Sequence, residues 1–129
     1  MKKKILIVVS DYYKDIAEAL LKSTKKFLNK KTALKIIKVP GVFEIPVIIS
    51  KNIKKFDGFV AIGCVIKGKT AHFDLISKSV IDAIMNLSIN SKKPVGNCIL
   101  TCFNYKQALA RKKKVKEAAI ALNLSLIHI

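Results

Sequence analysis

From Gly63 to Asp74 the chain reads Gly-Cys-Val-Ile-Lys-Gly-Lys-Thr-Ala-His-Phe-Asp. This stretch concentrates the residue types that can do chemistry. It closes the most apolar strand candidate, Gly58 to Ile66, and opens a long amphipathic helix. Gly68, Lys69, Thr70 and His72 occupy the short polar turn between them. A strand-to-helix turn leaves backbone N–H groups unpaired at the helix start, where they favour an anion such as phosphate. A glycine at position 68 lets the backbone come close to that anion. Histidine titrates near neutrality when unperturbed, so His72 places a proton-transfer group beside the phosphate seat. His72 also reads as an ordinary helix-start residue.

The same letters fit a second pattern. Gly63 to Thr70 matches the P-loop signature G-x-x-x-x-G-K-[ST] between a strand and a helix, which would make the chain a nucleotide binder. Three features argue against that reading. Cys64, Val65 and Ile66 are strand-like rather than loop-like residues, no later apolar strand ends in an aspartate that holds Mg²⁺, and the chain is short for such a fold.

The elements that must position these groups follow from periodicity. Lys4 to Ser10 is a short apolar run rich in β-branched residues, hence a buried strand. Asp11 to about Asn29 is a helix with Ile16, Ala19, Leu20, Ser23, Phe27 and Leu28 near one face. Tyr12 and Tyr13, where strand gives way to helix, read as packing residues or as an aromatic wall for a planar ligand. Ala33 to Val39 is a strand broken by Pro40-Gly41, and Val42 to Pro46 leads into a helix reaching about Lys55. After the strand Gly58 to Ile66, a helix from Thr70 or Ala71 to about Asn90 presents Phe73, Ile76, Val80, Ile84 and Leu87 to the core. Pro94 to Thr101 is the fourth strand, and Asn104 to about Ile127 is helical in two segments. This βαβαβαβα alternation implies a parallel sheet covered by helices on both faces. In such sheets ligands bind beyond the carboxyl ends of the strands, at a switch in strand order. Ser10–Tyr13, Gly41–Glu44, Lys67–His72 and Thr101–Asn104 all fall at those ends.

Composition bounds the answer. At 129 residues with 51% apolar residues, the expectation is one globular domain over residues 1–129. The apolar run Ile5 to Val9 is too short for a signal peptide, and no run is long enough for a membrane helix. Cys64, Cys98 and Cys102 show no metal-ligand spacing with either histidine and read as reduced core residues of a cytoplasmic protein, with no metal site. The net charge of +17 invites a basic nucleic-acid or polyanion-binding module. Its distribution weakens that reading. All the basic residues but Arg111 are lysines, scattered over faces and termini, whereas a nucleic-acid reader uses arginine forks and interleaved aromatics. No specific nucleic-acid partner and no membrane are expected.

Three segments carry a family resemblance: Val39-Pro-Gly-Val-Phe-Glu-Ile-Pro46, Gly63 to Asp74, and Gly96-Asn-Cys-Ile-Leu-Thr101 followed by Gln107-Ala108. In order and separation they resemble the lumazine synthase family over nearly the whole chain. The resemblance implies a flavodoxin-like three-layer α/β/α sandwich with a four-stranded parallel sheet of order 2-1-3-4, assembled as a homopentamer. It implies condensation of 5-amino-6-(D-ribitylamino)uracil with 3,4-dihydroxy-2-butanone 4-phosphate, with loss of phosphate and two waters and with no cofactor.

By motif position, the resemblance puts Tyr12 where a phenylalanine usually stacks on the pyrimidine. It assigns Val42, Phe43 and Glu44 to the ribityl chain and ring edge, and Val65 and Ile66 to backbone contacts with the pyrimidine. Gly68, Lys69 and Thr70 would line the phosphate site, with His72 as proton shuttle. From a neighbouring subunit, Asn97 would border the pyrimidine pocket, Arg111 would clamp the phosphate, and Lys114 takes the place of a second active-site lysine. Bland alternatives stand beside these: Phe43 as core, Glu44 as a helix-dipole partner, and Arg111 as a solvated charge. The segment between Arg111 and Lys114 is shorter than in the family, Val115 replaces a usual glycine and Phe103 a usual acid. That shortening, with the like-charge repulsion of so basic a subunit, favours a pentamer over a sixty-subunit shell.

Overall fold

The computed structural model describes residues 3–28, 30, 32–68 and 72–110, with His72 and Leu109 described by backbone alone. Strand β1 (Lys4–Ser10) leads to helix α1 (Lys14–Phe27) and strand β2 (Ala33–Val39). A 3₁₀ turn (Val42–Glu44) runs into α2 (Ile45–Lys51), followed by β3 (Gly58–Ile66), α3 (His72–Ser91), β4 (Val95–Cys102) and α4 (Tyr105–Ala110). The sheet has the order β2-β1-β3-β4, with every pairing parallel. The expected helix beyond Ala110, with Arg111 and Lys114, lies outside the described residues, as do Lys69 and Thr70.

A sheet buried on both faces needs strands that are apolar throughout, because successive side chains point to opposite sides. β1 meets this requirement. Ile5, Ile7 and Val9 enter one core with Ile16 and Leu20 of α1 and Ile62 of β3. Leu6 and Val8 enter the other with Ile45 and Ile49 of α2 and Val80 and Ile84 of α3. The three layers are thus helix, sheet and helix.

Local structure departs from expectation at three places. α1 begins at Lys14 rather than Asp11, because the Asp11 N–H still reaches the Val39 carbonyl at 3.2 Å and extends the sheet by one residue. Its buried stripe is Ile16, Ala17, Leu20 and Thr24, so Ala19 and Ser23 lie at the margin rather than in the core. Thr24 is tolerated there because its hydroxyl donates to the Leu20 carbonyl at 2.8 Å. α2 stops at Lys51 and not near Lys55, giving way to turns such as Lys55 N–H to Asn52 carbonyl at 2.9 Å. β4 spans Val95–Cys102, one residue later than expected, since Pro94 has no N–H to give and only its carbonyl joins the ladder, accepting from Phe59 at 3.0 Å.

Candidate active site

β1 and β3 are neighbours in the sheet, yet the chain leaves them in opposite directions, toward β2 and toward β4. That is the switch point, and a cleft of about 650 Å³ opens there. Four segments build it: Ser10 with Tyr12 and Tyr13 after β1, Gly41 to Glu44 after β2, Cys64 to Ile66 with Gly68 at the end of β3, and Phe73 with Ile76 on α3. The volume falls in the usual range for small-molecule sites, and the lining is mostly apolar with few polar groups.

Gly63 is the residue that makes the floor possible. A Cβ at this position would stand 2.5 Å from Val42 Cγ1 and 3.3 Å from Ser10 Cβ. Only a glycine allows the 3₁₀ turn to press against β3 and deliver Phe43 and Glu44 to the cleft. Gly63 therefore belongs to the strand, and the P-loop reading fails on this point. Gly63 to Ile66 are paired with Ile99 to Cys102 in the parallel ladder, so they form no loop around a phosphate. Gly68 differs. A Cβ there would meet nothing within 4 Å, and no described glycine has positive φ, so Gly68 itself stands in open space without backbone strain.

The 3₁₀ turn carries an unmet demand. The Oε2 atom of Glu44 is buried without a hydrogen-bond partner among the described residues, folded back over Gly41. A buried, unpaired carboxylate oxygen is costly, and a donor brought by a ligand would satisfy it. Glu44 directly precedes α2, so the dipole role coexists with this one. Phe43 is 64% exposed, which rules out its reading as core.

The end of β3 offers backbone. Its last partner on β1 is Val9, paired with Ile62, while β3 itself continues to Ile66. On that side the peptide groups of Val65 and Ile66 lie beyond the pairing with β1, and both residues line the cleft. On the other side the strand stays anchored, with the Lys67 N–H donating to the Cys102 carbonyl at 2.8 Å.

The walls are aromatic. Tyr12 and Tyr13 meet edge to face, 4.9 Å between centroids at 78°. Burial, and then the neighbouring Tyr12 and Cys64, raise the Tyr13 phenol above its ordinary value. Burial followed by the nearby Cys102 pushes the Cys64 thiol up to about 12, so it stays neutral in the cleft floor. At the far rim Phe103 lies 6.4 Å from Phe73 between centroids and carries the Lys67 ammonium 5.3 Å from its own.

The structure thus gathers Tyr12, Val42, Phe43, Glu44, Val65, Ile66 and Gly68 in one cleft. His72 opens α3, one residue before the cleft-lining Phe73. Asn97 lies off the cleft on edge strand β4, where its Oδ1 accepts the Ile99 N–H at 3.0 Å. Ser10, Tyr13, Gly41, Cys64, Phe73 and Ile76 also line the cleft without having been given a site role by the family resemblance. Ser10, Tyr13 and Gly41 carried a signal as residues at a strand end, and Tyr13 also as half of a possible aromatic wall.

Comparison with known proteins bears on this arrangement. The family model described as 6,7-dimethyl-8-ribityllumazine synthase matches residues 2–127. A protein of that name from Agrobacterium fabrum is 40% identical over 121 residues, covering 88% of this chain and 82% of the relative. Relatives of the same name from Bartonella tribocorum and Bartonella henselae are 41% and 43% identical, each over 88% of this chain and over 80% and 76% of their own. A match spanning both the sheet and all four cleft-forming segments leaves one conclusion, that the chain belongs to the 6,7-dimethyl-8-ribityllumazine synthase family.

Proposed function

We infer that this protein is the transferase of riboflavin biosynthesis that condenses 5-amino-6-(D-ribitylamino)uracil with 3,4-dihydroxy-2-butanone 4-phosphate to give 6,7-dimethyl-8-ribityllumazine. The observation that carries this reading is the cleft at the β1/β3 switch point in a chain of this family, with Glu44 lacking a partner and β3 backbone left open in its wall. Planar heterocycle, polyol and phosphate each find a matching surface along it. The Tyr12 ring suits stacking on the pyrimidine, and the peptide groups of Val65 and Ile66 suit its edge. Val42, Phe43 and Glu44 take the ribityl chain, whose hydroxyls supply the donor that Glu44 Oε2 lacks. Gly68, Lys69 and Thr70 form the phosphate turn.

The chemistry needs proton movement more than charge. Attack of the pyrimidine amine on the ketone and loss of water give an imine, phosphate is eliminated, and ring closure expels the second water. Each step moves a proton near neutral pH, and His72 beside the phosphate turn is the group suited to carry it. The departing dianion is best held by a planar cation, which assigns Arg111. Arg111, Asn97 and Lys114 act on a neighbouring subunit's cleft in this reading, within a cytoplasmic homopentamer of single domains spanning residues 1–129.

The deciding experiment mixes both substrates with the purified protein and follows the fluorescent lumazine. Its formation supports the reading, and its absence with folded protein overturns it. Solution mass tests the assembly: five subunits are expected, and a monomer or a megadalton shell contradicts the pentamer. Mixing Arg111→Ala with His72→Ala chains tests the shared site. Random exchange leaves roughly a quarter of the interfaces intact, so activity should recover to about that fraction. No recovery despite subunit exchange would place both residues in one chain's site or remove Arg111 from it.

A further inference from the structure

We propose that Tyr13 is a positioning residue for pyrimidine binding, its anchored ring holding the exposed ring of Tyr12 edge-on at the mouth of the cleft. The proposal rests on the functional reading above. Tyr12 is 73% exposed and lies between β1 and α1, outside any regular element. A side chain so exposed samples several rotamers, and a stacking wall that must first be ordered binds its ligand more weakly. Among the described residues its one ring contact is with Tyr13, at 4.9 Å and 78°, the edge-to-face geometry that the aromatic quadrupole favours.

Tyr13, by contrast, is fixed at two points. Its ring packs against the core cluster that holds Ile16, Leu20 and Cys64. Its carbonyl accepts the Ala17 N–H at 2.9 Å, which ties its backbone to the first turn of α1. The raised phenol agrees with this placement, since burial is its largest cause and Tyr12 and Cys64 its next. The hydroxyl therefore stays neutral and puts no charge beside the stacking ring. Tyr13 thus carries the order of the core out to a residue that has none of its own.

Pyrimidine affinity of the intact enzyme tests this, measured by equilibrium binding and as KM at saturating phosphorylated substrate. Tyr13→Leu fills the core without an aromatic edge. It is expected to weaken pyrimidine binding about 3–10-fold, the range of an aromatic pair, with the loss in KM rather than kcat. Tyr13→Phe keeps the edge and is expected to restore binding to within about twofold. In a Tyr12→Leu background, Tyr13→Leu should cost little more, because the ring it positions is gone. Wild-type affinity in Tyr13→Leu would overturn the proposal. So would an equal loss in the Tyr12→Leu background, or failure of Tyr13→Phe to restore binding. If Tyr13→Leu does not fold, Tyr13→Met is read against the same outcomes. A wild-type enzyme that neither binds the pyrimidine nor forms the lumazine overturns the functional reading as well, whereas an active wild type with an indifferent Tyr13 overturns this proposal alone.

Discussion

The two ends of the sheet handle polar and exposed groups in opposite ways. At the amino ends of the strands, Lys3, Lys4, Lys54, Lys55 and Lys93 surround a hollow of about 330 Å³ with Asp57. The groups that hold the chain together there are paired. Asp57 Oδ2 accepts the Lys4 N–H at 2.8 Å, the Asp57 N–H donates to the Lys4 carbonyl at 2.8 Å, and Lys93 Nζ donates to the Ile53 carbonyl at 2.5 Å. At the carboxyl ends, Glu44 Oε2 is buried without a partner, and Tyr12, Phe43 and Phe103 stand exposed. The end with this lysine-lined hollow is therefore not the end where Glu44 lacks a partner among the described residues. Unsatisfied groups and open aromatic faces mark the site better than charge does, because ammonium groups in water already have their partners.

Substitutions at the two ends should separate accordingly. The largest effect is expected from His72→Ala, which should lower turnover roughly 10²–10⁴-fold with pyrimidine binding retained, as single-turnover and binding assays would show. Normal turnover in that variant removes His72 from the mechanism. Glu44→Ala comes next. It should weaken pyrimidine binding by about 1.5–3 kcal/mol, the scale of hydrogen bonds to a charged group. Its urea midpoint should hold or rise, because a buried oxygen without a partner is removed. A fall in both affinity and stability would mean that Glu44 is structural, and the contrast between the ends would weaken.

Asp57→Ala tests the opposite end. It should cost about 0.5–1.5 kcal/mol of folding stability by denaturant titration and leave turnover near wild type. A large loss of turnover in folded protein would break the comparison. The smallest effect at neutral pH concerns Cys64. Its folded thiol lies at about 12 against an ordinary 9.0, so it contributes stability that is fully present below pH 9.0. That contribution is lost as pH rises toward about 12, because the unfolded chain releases the proton first. Cys64→Val should flatten this alkaline decline relative to wild type, as unfolding at a series of alkaline pH values would show. An identical decline in both proteins would place its cause elsewhere.

Much of the fold was legible because local pattern encodes it. Ile5 to Val9 could bury both faces only inside a covered parallel sheet, and Ile76, Val80, Ile84 and Leu87 fall on the core side of α3 at helical spacing, while Phe73, expected there too, lines the cleft. The ends of elements were less legible. The start of α1 is decided by one hydrogen bond from Asp11 to Val39, a residue far along the chain. The cleft residues found from sequence were those to which the family resemblance gave a role. Phe73, Ile76 and Cys64 escaped because an apolar residue in a cleft wall has the same pattern as one in a core.

By itself, then, the sequence determined the alternation of strands and helices, the layers they bury, the strand ends where chemistry must gather, and the family to which the motifs point. Tertiary structure turned the expected meeting of Tyr12, Glu44 and Ile66 into one cleft with a definite lining, with Asn97 apart on the edge strand. It also decided that Gly63 is a packing glycine inside β3, that Phe43 is open to solvent, and that Glu44 keeps an oxygen without a partner. The physical reason is one of range. Periodicity records which face of an element is dry, and this is a property of neighbours in sequence. Whether a given atom is paired, covered or free depends on residues brought from other elements by the crossovers, and no local pattern carries that.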